Sequence, residues 1–124
     1  LASLLCGLEW AFAQTSGDWA LVALVDVPAV RSATITRLID ETRAGGWLAV
    51  RPAYGHRHGH PVLWHRDTLA RLEGADPALG ARPVMRGLAA EGRVRDVEVD
   101  DEGVCRDIDT PEDYAALVVP PPRR

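Results

Sequence analysis

The sequence contains no lysine, because all 14 of its basic residues are arginines. This excludes a lysine contact to phosphate and a lysine Schiff base within this segment. The only cysteines, Cys6 and Cys105, stand alone without Cys-x-x-Cys spacing, which argues against a disulfide framework or a zinc knuckle. No apolar run approaches the roughly 20 residues that span a bilayer, and the N-terminus lacks a signal-peptide pattern. We therefore expect a cytoplasmic protein with no membrane association.

The composition is that of one globular domain, with 124 residues, 47% hydrophobic and 26% charged. A net charge of −4 and an isoelectric point near 5.5 argue against nucleic acid as a partner. The chain starts at Leu1 without an initiator methionine, already inside an amphipathic pattern, so we expect it to be a piece of a longer protein.

Helical and extended patterns alternate along the chain, which predicts a three-layer α/β sandwich with a mostly parallel sheet and a late antiparallel strand pair. The predicted helices end near residue 15, near residue 42, at 72, at 89 and at 118. The predicted strands cover residues 20–25, 47–50, 61–64, 94–99 and 104–108, with a polar loop over 51–60. The domain is expected to span residues 1–119, followed by a Pro/Arg tail over 120–124.

Carboxylates crowd the junction between the last strand and the last helix, in Asp107-Ile108-Asp109-Thr110-Pro111-Glu112-Asp113. Thr110 is placed to cap the helix, and Asp113 completes a capping box. Asp107 and Asp109 have no such role, and they flank Ile108 so that both point to one side of an extended segment. The alternatives are a solvated acidic turn and a site that binds a cation.

A further carboxylate, Asp26, directly follows the apolar run of residues 20–25 and precedes Val27 and Pro28. In open α/β sheets, ligands bind at the carboxyl ends of the strands, although an aspartate there is often only a turn former. Asp26 together with Asp107 and Asp109 is typical of a site for a hard cation, and Mg²⁺ prefers a few carboxylates plus substrate phosphates.

The segment Gly55-His56-Arg57-His58-Gly59-His60-Pro61 allows three interpretations. The alternating histidines could bind zinc, although a fourth ligand is missing, or the segment could be an ordinary surface loop. We favour an edge over the active cleft, where Gly59 permits close backbone approach and Arg57 and His60 donate hydrogen bonds to the substrate.

Other candidate substrate contacts lie elsewhere in the chain. Arg82 is placed to contact phosphate at a helix start, or it is a surface arginine. Ser3 and Gly7 are candidates for lining the cleft from the first helix.

Taken in order, these elements resemble the MobA-like nucleotidyltransferases, and most closely their molybdenum cofactor cytidylyltransferase branch. The resemblance covers nearly the whole chain and is most specific in its Gly-His-Pro-Val and Asp-Ile-Asp-Thr-Pro-Glu-Asp elements. The matching segments are Ser3-Leu4-Leu5-Cys6-Gly7-Leu8, Asp26-Val27-Pro28, Gly59-His60-Pro61-Val62-Leu63, Gly80-Ala81-Arg82 and Asp107–Tyr114.

The resemblance implies a Rossmann-like fold that transfers a nucleoside monophosphate from CTP or GTP to a molybdopterin-type phosphorylated acceptor, releasing pyrophosphate. It implies that Asp26 binds Mg²⁺ and acts in catalysis with Asp109, that Asp107 or Asp109 completes the metal site, and that Gly59 and His60 lie on the acceptor side. Pro28, which closes the Asp-x-Pro motif, is assigned to substrate binding. The chemistry agrees, because in-line attack on the α-phosphorus needs positioning and charge neutralisation more than a protein nucleophile.

The chain departs from this family at its start. The family opens with a glycine-rich phosphate loop followed by a lysine, and neither is present here. We therefore expect the C-terminal two-thirds of such an enzyme, inactive alone, with a partner domain or subunit supplying the missing part. The alternatives are a sugar-phosphate nucleotidyltransferase and a non-catalytic, degenerate binding module of the same fold.

Overall fold

Helices and strands alternate through residues 1–24, 29–106, 111–112 and 115, which are the residues that the computed structural model describes. The helices are α1 (Ala2–Gln14), α2 (Ser32–Glu41), α3 (Leu69–Glu73) and α4 (Arg82–Ala90). The strands are β1 (Trp19–Val22), β2 (Ala49–Tyr54), β3 (Arg57–His58), β4 (Val62–His65) and β5 (Val94–Glu98). Two 3₁₀ turns cover Arg66–Thr68 and Glu102–Cys105. None of the described helices is long and apolar enough to cross a membrane.

The strands form one mixed sheet around β2. The strand β4 runs antiparallel between β1 and the first half of β2, and β3 pairs antiparallel with the last two residues of β2. The strand β5 lies parallel to β2, so that Arg51 stands opposite Asp96. Consequently β1, β2 and β5 run in the same direction, and β4 runs against them.

The predicted α/β class is confirmed, with differences in where the antiparallel strands lie. The strand predicted after residue 103 begins instead as the 3₁₀ turn over Glu102–Cys105, so the antiparallel pairings come from β3 and β4. The predicted polar loop over 51–60 contains the second half of β2 and all of β3, joined at Gly55 with a φ of 62°. Pro52 disfavours a strand assignment, but it lies between the residues of β2 that pair with β4 and those that pair with β3.

Side chains that alternate along the strands fill a core on each face of the sheet. Val62 and Trp64 of β4 pack with Leu8 and Phe12 of α1 and with α3 and α4. Leu63, between them in sequence, packs on the opposite face with Leu38 of α2. This alternation gives the three layers predicted from the sequence. Most of the predicted last helix, and the tail over 120–124, lie outside the described residues.

Candidate active site

A cleft of about 630 Å³ lies where α4 faces β4 and the β2–β3 hairpin. Its lining brings together Gly59, His60 and Arg82, three of the residues that the sequence predicted to bind substrate. A volume of this size is ordinary for a small-molecule site. The complete lining is Arg51, His58, Gly59, His60, Val62, Trp64, Ala81, Arg82, Met85, Arg86 and Ala89.

The Gly59–His60 edge of the cleft is held against the segment that leads to Asp107. The backbone N–H of Gly59 donates to the Pro52 carbonyl and that of His60 donates to the Val104 carbonyl, both at 2.9 Å. A Cβ atom on Gly59 would lie only 2.2 Å from the Val104 carbonyl oxygen, so this position requires glycine. The close backbone approach predicted for Gly59 is thus made to Val104, within the fold.

A buried carboxylate, Asp101, joins the segment after Asp26 to the segment before Asp107. Its Oδ2 accepts hydrogen bonds from the Arg31 backbone N–H at 2.9 Å and from the Thr34 hydroxyl at 2.7 Å. Its Oδ1 accepts from the Gly103 backbone N–H at 3.0 Å. Because Asp101 is 5% exposed, these bonds lie in a largely water-free environment.

The contacts of Asp101 favour its charged form. Burial by itself raises the pKa of the Asp101 carboxyl, since it penalises the anion. The hydrogen bonds from Thr34, Arg31 and Gly103, together with the Arg31 guanidinium, outweigh burial and hold the pKa below its usual value. Asp101 is therefore an anion over the whole physiological pH range.

Close backbone packing also joins the segment that follows Asp26 to the segment that precedes Asp107. A Cβ atom on Gly103 would lie 2.3 Å from the Ala29 carbonyl oxygen, so the two segments touch at a position that only glycine allows. Ala29 follows Asp26 by three residues, and Asp107 follows Gly103 by four. The predicted metal ligands Asp26, Asp107 and Asp109, and the predicted substrate contact Pro28, lie outside the described residues. Their assignment stays a prediction.

Ser3 and Gly7 lie in a different place from the other predicted substrate contacts. They line a smaller groove of about 280 Å³ between α1 and β1, with Ala20 and Val22 on its opposite wall. None of its lining residues is shared with the first cleft. The structure therefore does not bring Ser3 and Gly7 together with Gly59, His60 and Arg82.

Arg57 and the alternating histidines are arranged by the β2–β3 hairpin. The Arg57 guanidinium donates to the Cys105 carbonyl at 3.4 Å, and Arg57 is not part of the cleft lining. His58 lies 3.6 Å from Asp96. Within the described part of the chain, no three His, Cys, Asp or Glu side chains are grouped so that they could hold a metal ion, so zinc binding by His56, His58 and His60 gains no support.

Three residues of this region were not predicted from the sequence to be functional. Arg86 had a detectable signal, because it follows Arg82 by four residues and so shares its helix face. Arg51 lines the cleft and forms an ion pair with Asp96 through the β2–β5 register, which the sequence does not reveal. Asp101 lies in an acidic run whose sequence indicates a solvated turn. Its burial follows from contacts with Arg31 and Thr34, which are distant in sequence.

Comparison with known proteins identifies the family. The profile of the MobA-like NTP transferase domain matches residues 1–95. The chain belongs to the MobA-like NTP transferase domain family. The predicted nucleotidyltransferase relationship is therefore confirmed at the level of the family.

Solved structures support the same relationship. Rv0371c of Mycobacterium tuberculosis is 28% identical, with a TM-score of 0.67 over 92% of this chain and 58% of that one. A manganese complex of that protein is 26% identical, with a TM-score of 0.63 over 90% of this chain and 59% of that one. The homologue from Mycobacterium sp. strain JC1 is 27% identical, with a TM-score of 0.63 over 89% of this chain and 54% of that one. No curated protein matches the chain.

This MobA-like chain spans little more than half the length of the structures it resembles, between 54% and 59%. These neighbours are Rv0371c-like proteins, and they do not single out the molybdenum cofactor cytidylyltransferase branch.

Proposed function

We propose that residues 1–119 form the C-terminal two-thirds of a cytoplasmic nucleotidyltransferase that transfers CMP from CTP to a molybdopterin-type phosphorylated acceptor. A phosphate oxygen of the acceptor attacks the α-phosphorus of the nucleotide, a new P–O bond forms, and the bond to the β-phosphate breaks with release of pyrophosphate. The single observation that carries the proposal is the contact network around Asp101, because it joins the described neighbours of Asp26 to those of Asp107.

We assign Mg²⁺ to Asp26 and to Asp107 or Asp109. Carboxylate oxygens are the ligands that Mg²⁺ prefers, and the ion, when bound, would offset the charge of the nucleotide phosphates. A manganese complex of the related Rv0371c protein supports a divalent-cation site in this fold. The residues of this chain then hold the acceptor at the Gly59–His60 edge, where the His60 backbone N–H donates to the carbonyl of Val104, a residue that precedes Asp107 by three positions.

We further propose that a partner domain or subunit supplies the glycine-rich phosphate loop. Two features of the described residues support this. Among the described strands, none pairs with the edge of β1 that faces away from β4, and the groove lined by Ser3 and Gly7 opens next to β1. Leu21, on β1, is 39% exposed. An open edge with exposed apolar side chains favours addition of another strand.

Nucleotide titration of the 124-residue chain tests the metal assignment. We expect calorimetry to detect CTP binding that requires Mg²⁺ or Mn²⁺ and that Asp26→Asn abolishes. Asp100→Asn is the matched control. Asp100 is exposed, and this substitution removes the same charge at a position outside the proposed site. A chain with no affinity for CTP or GTP would instead favour the alternative of a non-catalytic binding module, which the missing phosphate loop also suggests.

The parent enzyme provides a second test. We expect Asp26→Ala to abolish transfer without loss of fold, and His60→Ala to raise the KM of the acceptor while CTP affinity is retained. Near-normal turnover by Asp26→Ala would remove Asp26 from the mechanism. Selective loss of CTP affinity in His60→Ala would remove His60 from the acceptor side. Turnover of a sugar phosphate in place of the pterin would favour the sugar-phosphate nucleotidyltransferase alternative.

A further inference from the structure

Two arginines on one face of α4 line the cleft, and neither has an ion-pair partner among the described residues. Arg82 and Arg86 are separated by one helical turn and both line the 630 Å³ cleft. Over residues 1–24, 29–106, 111–112 and 115, neither guanidinium takes part in an ion pair or a side-chain hydrogen bond. Arg51 across the cleft differs, because its charge is compensated by Asp96.

The lining of the cleft contains no carboxylate among the described residues. Its charged groups are the three arginines, and its remaining polar side chains are His58 and His60. A concave surface with two uncompensated guanidinium groups attracts anions, and the planar guanidinium fork matches the oxygens of a phosphate group. The charge of the cleft therefore favours a phosphate-bearing ligand, although the whole chain is acidic.

Part of the cleft lining is apolar. Val62 and Trp64 of β4 and Met85 and Ala89 of α4 form it, and the two β4 side chains are buried in the core. Such a surface suits an uncharged organic body about the size of a ring system. The cleft thus combines a place for a phosphate with a place for an apolar group, as a phosphate monoester requires.

From this arrangement we propose that Arg82 and Arg86 together bind the phosphate of a phosphate monoester whose organic body lies against Val62 and Met85. The inference rests on the proposed function and deepens it, because it assigns the phosphate of the acceptor to two named side chains. The geometry is consistent with transfer, since the Gly59–His60 edge of this cleft contacts Val104, in the segment leading to Asp107.

The test uses phenyl phosphate as the probe, with no metal and no nucleotide, and follows the backbone amide resonances of the 124-residue chain. We expect saturable shifts at residues 58–60 and 81–89, and weaker binding of inorganic phosphate because it lacks the apolar body. Arg82→Gln and Arg86→Gln should each weaken phenyl phosphate binding about tenfold, the loss typical of one hydrogen bond to a charged group. Because one phosphate is shared, the second substitution should cost less in the background of the first.

Arg43→Gln is the control for net charge, because it removes the same charge from a side chain outside the cleft, just after α2, where Arg43 is 79% exposed and lies 3.9 Å from Asp40. Equal weakening by Arg43→Gln would show that net charge alone drives binding and would overturn the proposal. Shifts that map outside the cleft, or no saturable binding at all, would also overturn it. Because the probe needs neither Mg²⁺ nor CTP, these results are independent of the nucleotide titration, and failure of either proposal can be recognised separately.

Discussion

Removing the charge of Asp101 should weaken the contact between the segment that follows Asp26 and the segment that precedes Asp107. The Asp101 carboxylate accepts three hydrogen bonds, from the Thr34 hydroxyl and from the backbone N–H groups of Arg31 and Gly103. Asp101→Asn keeps one carbonyl oxygen, which can still accept from Thr34 and Arg31. The amide nitrogen of the asparagine cannot accept a hydrogen bond. Its N–H group would therefore face the Gly103 N–H group, and both are donors.

The size of each effect follows from the number of bonds lost. We expect Thr34→Val, which loses one bond, to lower the free energy of unfolding by about 1 to 1.5 kcal/mol. Asp101→Asn should cost about 2 kcal/mol, because a donor is also left unpaired. Asp101→Ala should cost about 3 to 5 kcal/mol, as expected for loss of one partner in a buried charged network.

The ion pair with Arg31 contributes little to these values. The Arg31 Nε and Asp101 Oδ1 atoms are 3.7 Å apart, and the Arg31 side chain is 62% exposed. Exposed pairs of this kind contribute about 0 to 1 kcal/mol. We therefore expect Arg31→Gln to be much milder than Asp101→Asn, because it retains the backbone N–H that Asp101 accepts.

The assay is urea unfolding followed by circular dichroism, at pH 7 and at decreasing pH. The pKa of Asp101 is lowered in the folded state. Its stabilising contribution is therefore complete above the usual aspartate pKa, near pH 4, and is lost as the pH falls through the lower folded value. The stability difference between the parent chain and Asp101→Asn should shrink in that acidic range.

Asp100→Asn provides the control, because Asp100 is exposed and its side chain makes no such hydrogen bond within the described part of the chain. The stability of this variant should stay within about 0.5 kcal/mol of the parent. If Asp101→Asn unfolds at the same urea concentration as the parent at pH 7, the reasoning is refuted. A stability difference that is constant from pH 7 to pH 3 would refute the electrostatic part alone.

Two further pairs of substitutions test packing near the cleft and the attachment of α1. Gly59→Ala should lower the free energy of unfolding by about 1 to 3 kcal/mol, because the added Cβ would collide with the Val104 backbone. Gly7→Ala should instead stabilise α1 by about 0.5 to 1 kcal/mol, because the space around Gly7 is open and alanine favours a helix. Urea unfolding measures both, and equal effects would contradict the packing argument. Arg66→Met should cost about 1 to 2 kcal/mol and speed amide exchange in α1, because the Arg66 guanidinium donates to three backbone carbonyls at the end of that helix and just after it. Arg86→Met is the comparison for this variant, and a similar loss there would contradict the assignment.

Local pattern in the sequence was sufficient for the α/β class and for most of the elements. The apolar periodicity of α1 and the short Val- and Leu-rich runs of β1 and β4 depend only on neighbouring residues. Two local predictions were wrong: the polar loop predicted over 51–60 contains the second half of β2 and all of β3, and the strand predicted from residue 104 begins as the 3₁₀ turn over Glu102–Cys105. In the first case the pairing of β2 with β3 and β5 overrode a local preference, and in the second Asp101 and Gly103 contact the distant segment Ala29–Thr34.

For the site, the sequence by itself determined which residue types are available: three acidic residues in two motifs, a Gly-His-Pro loop, and arginine as the only cation besides histidine. Only the tertiary structure decided which of them meet. It joined Gly59, His60, Arg82 and Arg86 at one cleft, separated Ser3 and Gly7 into another, and gave Asp101 partners 67 and 70 residues away. The physical reason is that hydrogen bonding and burial depend on distance in space, and the path of the chain between such residues is set by packing of the whole core.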